Sequence, residues 1–162
     1  MSVDHAVEFW RQHVLPMKQS RPEVRIGSLS ISNGSNGIPW LGDFFSRFGG
    51  IDASGIDYII IHYYSDDAEH FKRYVKEVHD KFEGKIWVTE FSCTNWNVKN
   101  PPTEKQVLTF MEEALNFLDS TDFVERYAWY GAMSDVGVDV GRANGFQAEG
   151  RLTDAGKLYM TL

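Results

Sequence analysis

The sequence predicts an α/β fold in which a parallel β-sheet alternates with helices, as one domain over residues 1–162. Three observations predict it. Four short runs have the apolar, β-branched or alternating character of strands. A segment with helical spacing separates each from the next. The connections are long enough for the right-handed crossovers that parallel strands require. A complete (β/α)8 barrel needs about 250 residues, so 162 residues suffice for about half of one.

The first element is a helix over 3–19, with Val3, Ala6, Val7, Trp10, Val14 and Met17 on one stripe and Ser2 as its cap. Pro16 is expected to kink or end it near Leu15. The run "VRIGSLSIS" (24–32) alternates like a strand, and "NGSNG" after it is a loop. A short helix over 38–48 turns Trp40, Leu41, Phe44, Phe45 and Phe48 inward, and the following Gly pair stops it. "IDYIIIHYY" (56–64) reads as a strand buried on both faces. The next helix has Asp66 as its N-cap, Glu69 three residues on, and a stripe of Ala68, Phe71, Val75, Val78 and Phe82. "KIWVTEFSC" (85–93) is the third strand. Thr103 and Gln106 fit a capping box ahead of a helix carrying Val107, Met111, Ala114, Leu115 and Leu118. "FVERYAWYGAM" (123–133) is the fourth strand, a Gly-rich loop runs to about residue 150, and "TDAGKLYMTL" (153–162) closes the chain as a helix.

Composition narrows the function. The net charge of −7 comes without any basic run, which argues against nucleic acid. No apolar stretch is long enough to span a bilayer. The single cysteine, Cys93, rules out an internal disulfide and cysteine-built metal clusters, and it reads as an inert buried thiol. No cofactor or metal is called for. No leader segment is legible at the N-terminus, so at face value the chain is cytosolic. It could equally be a piece of a secreted protein.

In α/β folds chemistry gathers at the carboxyl ends of the strands. Here those ends supply Ser30, Ser32 and Asn33; His62, Tyr63 and Tyr64; Glu90, Phe91 and Ser92; and Trp129, Tyr130 and Met133. A carboxylate, an imidazole, an amide and several aromatic rings suit a sugar, whose ring faces stack and whose hydroxyls hydrogen-bond. Each residue also has a plainer reading. Glu90 could belong to a structural ion pair, His62 to the core, Tyr63, Tyr64 and Trp129 to packing, and Asn33 to a turn. Arg126 pairs as easily with Glu125 as with a catalytic group.

Four segments, "IDYIIIHYYS", "FKRYVKEVHDKFEGKIWVTEFSC", "FMEEALNFLDSTDFVERYAWYGAM" and "GRLTDAGKLYMTL", together resemble glycoside hydrolase family 128, the fungal-type β-1,3-glucanases also called alkali-sensitive-linkage-protein-like glycosyl hydrolases. The resemblance covers nearly the whole chain. It implies strands five to eight of a retaining TIM (β/α)8 barrel, a β-glucan substrate and a secreted or cell-wall setting. It makes Glu90 the nucleophile. It assigns His62, Tyr63, Tyr64, Asn33, Phe91 and Trp129 to the sugar groove, with Tyr63 standing where the family has a tryptophan. The family's "N-E-P" acid/base motif falls before the first helix, so strands one to four and the acid/base lie outside this sequence.

Retaining hydrolysis needs two carboxyl groups about 5–5.5 Å apart. Glu125 and Asp57 sit at strand starts, Asp66 and Asp67 read as caps, and Glu8 lies on the first helix, so none is a second candidate. The expectation is a weak or inactive chain when isolated. Its free sheet edges would be met by a second copy or by a complementing N-terminal half. The alternatives are a non-catalytic β-glucan-binding remnant and an interaction protein.

Overall fold

The computed structural model describes residues 1–133 and 135–161. Its centre is a four-stranded parallel sheet of β1 (Ile31–Ser32), β2 (Ile59–Tyr64), β3 (Ile86–Ser92) and β4 (Val124–Trp129), in that spatial order. Helices α1 (Val3–Phe9), α2 (Leu15–Ser20), α3 (Gly37–Ser46), α4 (Ala68–Phe82), α5 (Glu104–Asp119) and α6 (Asp154–Thr161) accompany it. A two-stranded hairpin, β5 (Gln147–Ala148) with β6 (Arg151–Leu152), precedes α6. The α/β class and parallel order are therefore as the sequence predicts. The last residue of the expected terminal helix, Leu162, lies outside the described residues.

The core lies between the sheet and the helices. Ile59, Ile61 and Tyr63 of β2 and Ile86, Val88 and Phe91 of β3 are buried, as are Phe71, Val75 and Val78 of α4 and Val107, Met111, Ala114, Leu115 and Leu118 of α5. Each of the larger aliphatic and phenylalanine side chains among them contributes about 1.5–3 kcal/mol when fully buried. The Thr103–Gln106 capping box is formed in both directions and starts α5 where expected.

Four local expectations are corrected. Asp67, not Asp66, caps α4, its side chain accepting from the His70 amide at 2.8 Å. Pro16 does not end the first helix. A π-turn over Trp10–Val14 precedes it, and the Leu15 amide reaches back to the Trp10 carbonyl. The widened turn spares the ring the clash a proline makes with an α-helical carbonyl four residues back. The strand expected over 24–32 is regular only at Ile31–Ser32, with one bridge between Gly27 and Tyr58. Between them the Ser28 hydroxyl takes the Ile60 amide at 2.9 Å, displacing the ladder bond. Finally, β2 is not buried on both faces: Ile60, His62 and Tyr64 are only half-buried, because the helices cover one side of the sheet.

Candidate active site

The less covered face carries two layers of polar and aromatic groups. Near the strand starts, Trp87 stacks on Tyr58 at 4.5 Å and donates from Nε1 to the Glu125 carboxylate at 2.8 Å. The Arg126 guanidinium lies 5.3 Å from the Trp87 ring centre, and Arg25 donates to the Tyr58 hydroxyl. This layer occupies Glu125 and places it at the opposite end of the sheet from Glu90.

The second layer lies at the carboxyl ends of the strands. Tyr64 Oη donates to Glu90 Oε2 at 2.6 Å, and His62 Nδ1 stands 3.4 Å from the same oxygen. His62 Nε2 is 3.0 Å from Thr89 Oγ1. With the proton on Nδ1, His62 donates to Glu90 and accepts from Thr89. The Glu90 side chain keeps 38% of its surface exposed, so it can meet a ligand. Burial, followed by the adjoining Glu90 charge, holds the Tyr64 phenol well above its usual range. Tyr64 therefore acts as a fixed donor to the carboxylate.

An irregularity in β3 produces this grouping. Ile61 pairs with Val88, but His62 pairs with Glu90, leaving Thr89 as an extra residue. The bulge lets two consecutive side chains reach one imidazole, while Val88 and Phe91 on either side remain in the core.

The expected site residues separate into three groups. Glu90, His62 and Tyr64 come together. Asn33 lies at the same end, but its amide is engaged by the Tyr64 backbone, accepting from the amide at 3.1 Å and facing the carbonyl at 3.4 Å. It fastens the loop after β1 to the end of β2. Tyr63, Phe91 and Trp129 are turned toward the helices. Tyr63 is fully buried, its hydroxyl bonded to the Asp67 carbonyl at 2.9 Å, and burial pushes its phenol up to about 12. Phe91 stacks on Phe71 at 5.4 Å, and Trp129 packs edge-on against Phe91 and donates to the Asn144 carbonyl at 2.9 Å. The expectation of sugar contact for these three rings is corrected: strand alternation in β2 and β4, and the skipped Thr89 in β3, send them to the face opposite His62 and Tyr64.

Three residues escaped the sequence reading. Thr89 was invisible because nothing in "WVTEF" marks an extra residue. Trp96 lies in a loop and packs at 5.5 Å against Tyr64. Asn144 is fully buried and binds the end of β3: its Oδ1 accepts from the Cys93 amide at 3.1 Å and its Nδ2 donates to the Cys93 carbonyl at 2.8 Å.

Comparison with known proteins adds the lineage. Residues 1–159 match the family model described as "Glycosyl hydrolase catalytic core". Alkali-sensitive linkage protein 1 of Schizosaccharomyces pombe is 34% identical over 157 residues, covering 96% of this chain and 28% of that protein. The crystal structure of a subgroup VI exo-β-1,3-glucanase of family GH128 from Aureobasidium namibiae superposes with a TM-score of 0.87 at 24% identity, covering 100% of this chain and 62% of that one. A subgroup I endo-β-1,3-glucanase from Amycolatopsis mediterranei, in complex with laminaritriose and laminaribiose, gives 0.78 at 24% identity, covering 99% and 65%. This chain thus spans less than two thirds of the length of each of these relatives. With the family model matched over 1–159, the chain belongs to the glycosyl hydrolase catalytic core family.

Proposed function

We propose that the chain is strands five to eight of a retaining (β/α)8 β-1,3-glucan hydrolase, with Glu90 as the nucleophile that attacks the anomeric carbon. The observation that carries this reading is the half-exposed Glu90 carboxylate, held by Tyr64 at 2.6 Å beside His62 at the carboxyl end of a parallel sheet. A nucleophile must be fixed in position, and a charge-assisted hydrogen bond helps to hold it there. Tyr64 and His62 orient the carboxylate. An acid/base glutamate from strands one to four, outside this sequence, would protonate the leaving oxygen.

The reaction proceeds in two displacements. In the first, a bond forms between Glu90 and the anomeric carbon while the glycosidic bond breaks, and the leaving oxygen takes a proton from the partner acid. In the second, water attacks that carbon and gives its proton to the partner group, now a base, releasing the sugar and restoring both the Glu90 carboxylate and the acid. Acid/base catalysis typically contributes about 10²–10⁴-fold, so the isolated chain is expected to be feeble on a natural glucan.

A reagent that needs no acid tests the nucleophile directly. A 2-deoxy-2-fluoro-β-laminaribioside with a dinitrophenolate leaving group should attach to one peptide, that carrying Glu90, as read by mass spectrometry. The Glu90→Gln variant should remain unlabelled. An adduct on another carboxylate, or none on a folded chain, overturns the assignment.

A second reading is favoured by the surroundings of the other carboxylates. Asp57 is bound to Lys18 at 2.7 Å and Glu125 to Trp87, Asp67 caps α4, and Glu8 of α1 accepts from Gln12 in the following π-turn. None of them joins Glu90, Tyr64 and His62. On that reading the chain holds β-glucan without cutting it. In both cases β1 and β4 each lack a neighbour on one side among the described residues, and a second copy or a complementing half-barrel would pair with those edges. Light scattering at several concentrations distinguishes a self-associating chain from a monomer awaiting its other half.

A further inference from the structure

Trp96 is the largest exposed ring beside the site and has no part in the chemistry above. It is 57% exposed and stands at φ +58°, the left-handed region that a bulky side chain rarely enters. Such a backbone costs about 1–3 kcal/mol and persists only where its surroundings impose it. Here they do. The Trp96 amide donates to Thr94 Oγ1 at 3.2 Å, and that hydroxyl, almost fully buried, donates to the Asp139 carbonyl at 3.1 Å. Asn95 accepts from the Asn97 amide at 2.9 Å and donates to the Asn100 carbonyl at 3.1 Å, closing the loop beneath the ring.

The indole is also backed. It lies 5.5 Å from the Tyr64 ring at 48°, and Tyr64 in turn stands edge-on to Tyr130 at 5.7 Å. The hydroxyl of the same Tyr64 holds Glu90. One tyrosine side chain therefore separates the exposed ring from the carboxylate, with no flexible segment between them.

We propose that Trp96, braced by Tyr64 and Tyr130, is the stacking platform for the glucosyl unit next to the one presented to Glu90. The inference rests on the reading of Glu90 as the glucan site. A pyranose ring offers a face of axial C–H groups to an aromatic ring, while its hydroxyls point outward to water and polar groups. A rigid indole at the edge of the site thus accepts one sugar face without taking any hydroxyl from its partners. Because Tyr64 touches both Trp96 and Glu90, it sets the relation between the stacked unit and the carboxylate.

Titration of the ¹⁵N-labelled 162-residue chain with laminarihexaose, followed by amide and indole NMR, tests this. The chain has five tryptophans, so the Trp96 indole signal is assigned by its loss in Trp96→Phe. That signal should shift saturably with the sugar, together with the Tyr64 and Glu90 amides, while the buried Trp10 indole stays still. Trp96→Ala should weaken binding about three- to tenfold, as expected for loss of one aromatic contact, and Trp96→Phe should restore part of it. If Tyr64 and Glu90 respond but the Trp96 indole does not, and Trp96→Ala binds as before, the platform is overturned and the glucan site stands. If a folded chain shows no response at any amide, the glucan site falls and the platform with it.

Discussion

Replacing Asn144 by alanine should cost the protein far more than its place in a Gly-rich loop suggests. The side chain is fully buried and makes four hydrogen bonds: from the Cys93 amide at 3.1 Å, and to the carbonyls of Cys93 at 2.8 Å, Val140 at 2.9 Å and Gly141 at 3.2 Å. Cys93 is itself fully buried, so its amide and carbonyl find no water once the amide is gone. A buried group left unpaired costs about 1–3 kcal/mol. Two such groups at about 1.5 kcal/mol each, in the lower half of that range, give about 3 kcal/mol. At about 2–4 °C per kcal/mol for a domain of this size, Asn144→Ala should melt roughly 6–12 °C below the wild type, read by circular dichroism. Asn144→Asp should be no better: it keeps the oxygen for the Cys93 amide but sets a carboxylate against three carbonyls. A melting temperature within about 2 °C of wild type for Asn144→Ala would refute the reasoning, as would an aspartate variant of wild-type stability.

Three further outcomes follow from the same geometry. Burial raises the Asp57 carboxyl, but hydrogen bonds from Lys18 and the Ile26 amide outweigh it and hold the group below its ordinary value. A carboxyl depressed in the folded state contributes stability above its unfolded pKa of about 3.9 and loses it as pH falls through the folded value. Acid unfolding should therefore steepen below about pH 4 and flatten in Asp57→Asn; superimposable acid curves would contradict this. Burial pushes the Cys93 thiol up to about 12, so iodoacetamide should leave the native protein unmodified at about pH 8 and label it only on unfolding. Labelling at the rate of a free thiol would show that the end of β3 is open. Gly131→Ala should destabilise as strongly as Asn144→Ala, since an added Cβ meets the Asn144 carbonyl and lies 2.6 Å from Trp129 Cδ1. Unchanged melting of that variant would mean that the loop is not packed as described.

Local signals made some elements readable and left others hidden. The α5 start was legible because a capping box is written in four consecutive residues, Thr103 to Gln106. The α4 stripe was legible because Phe71, Val75 and Val78 repeat at helical spacing and all three are buried. Glu90 stood out because an apolar strand has little use for a carboxylate. The face of each ring was not legible, since "HYY" and "EFS" offer aromatic residues on both sides of a strand and only the register decides between them. Tyr63 and Phe91 went to the core for that reason. Asn144 was unreadable because its partner at the end of β3, Cys93, lies 51 residues away, and no local pattern marks a long-range hydrogen bond. Trp96 was passed over because a single tryptophan between two asparagines has no periodicity.

The extra residue in β3 explains how a site assembles from so ordinary a strand. Regular alternation from Val88 would send Thr89 to the less covered face and Glu90 under the helices, where an unpaired carboxylate costs several kcal/mol, of the order of ~5. Phe91 would then be the ring left facing the site. Skipping Thr89 in the pairing puts Glu90 opposite His62 and returns Phe91 to the core against Phe71. It also gives His62 a polar partner at each ring nitrogen, Glu90 at 3.4 Å and Thr89 at 3.0 Å, which fixes the imidazole's orientation rather than leaving it to rotate. Tyr64 then supplies the third contact. A carboxylate held by a phenol and an imidazole, with over a third of its surface free, has its position set by the backbone of two strands rather than by a loop. On the proposed reading of Glu90, this is the preorganisation a displacement reaction at a sugar carbon requires.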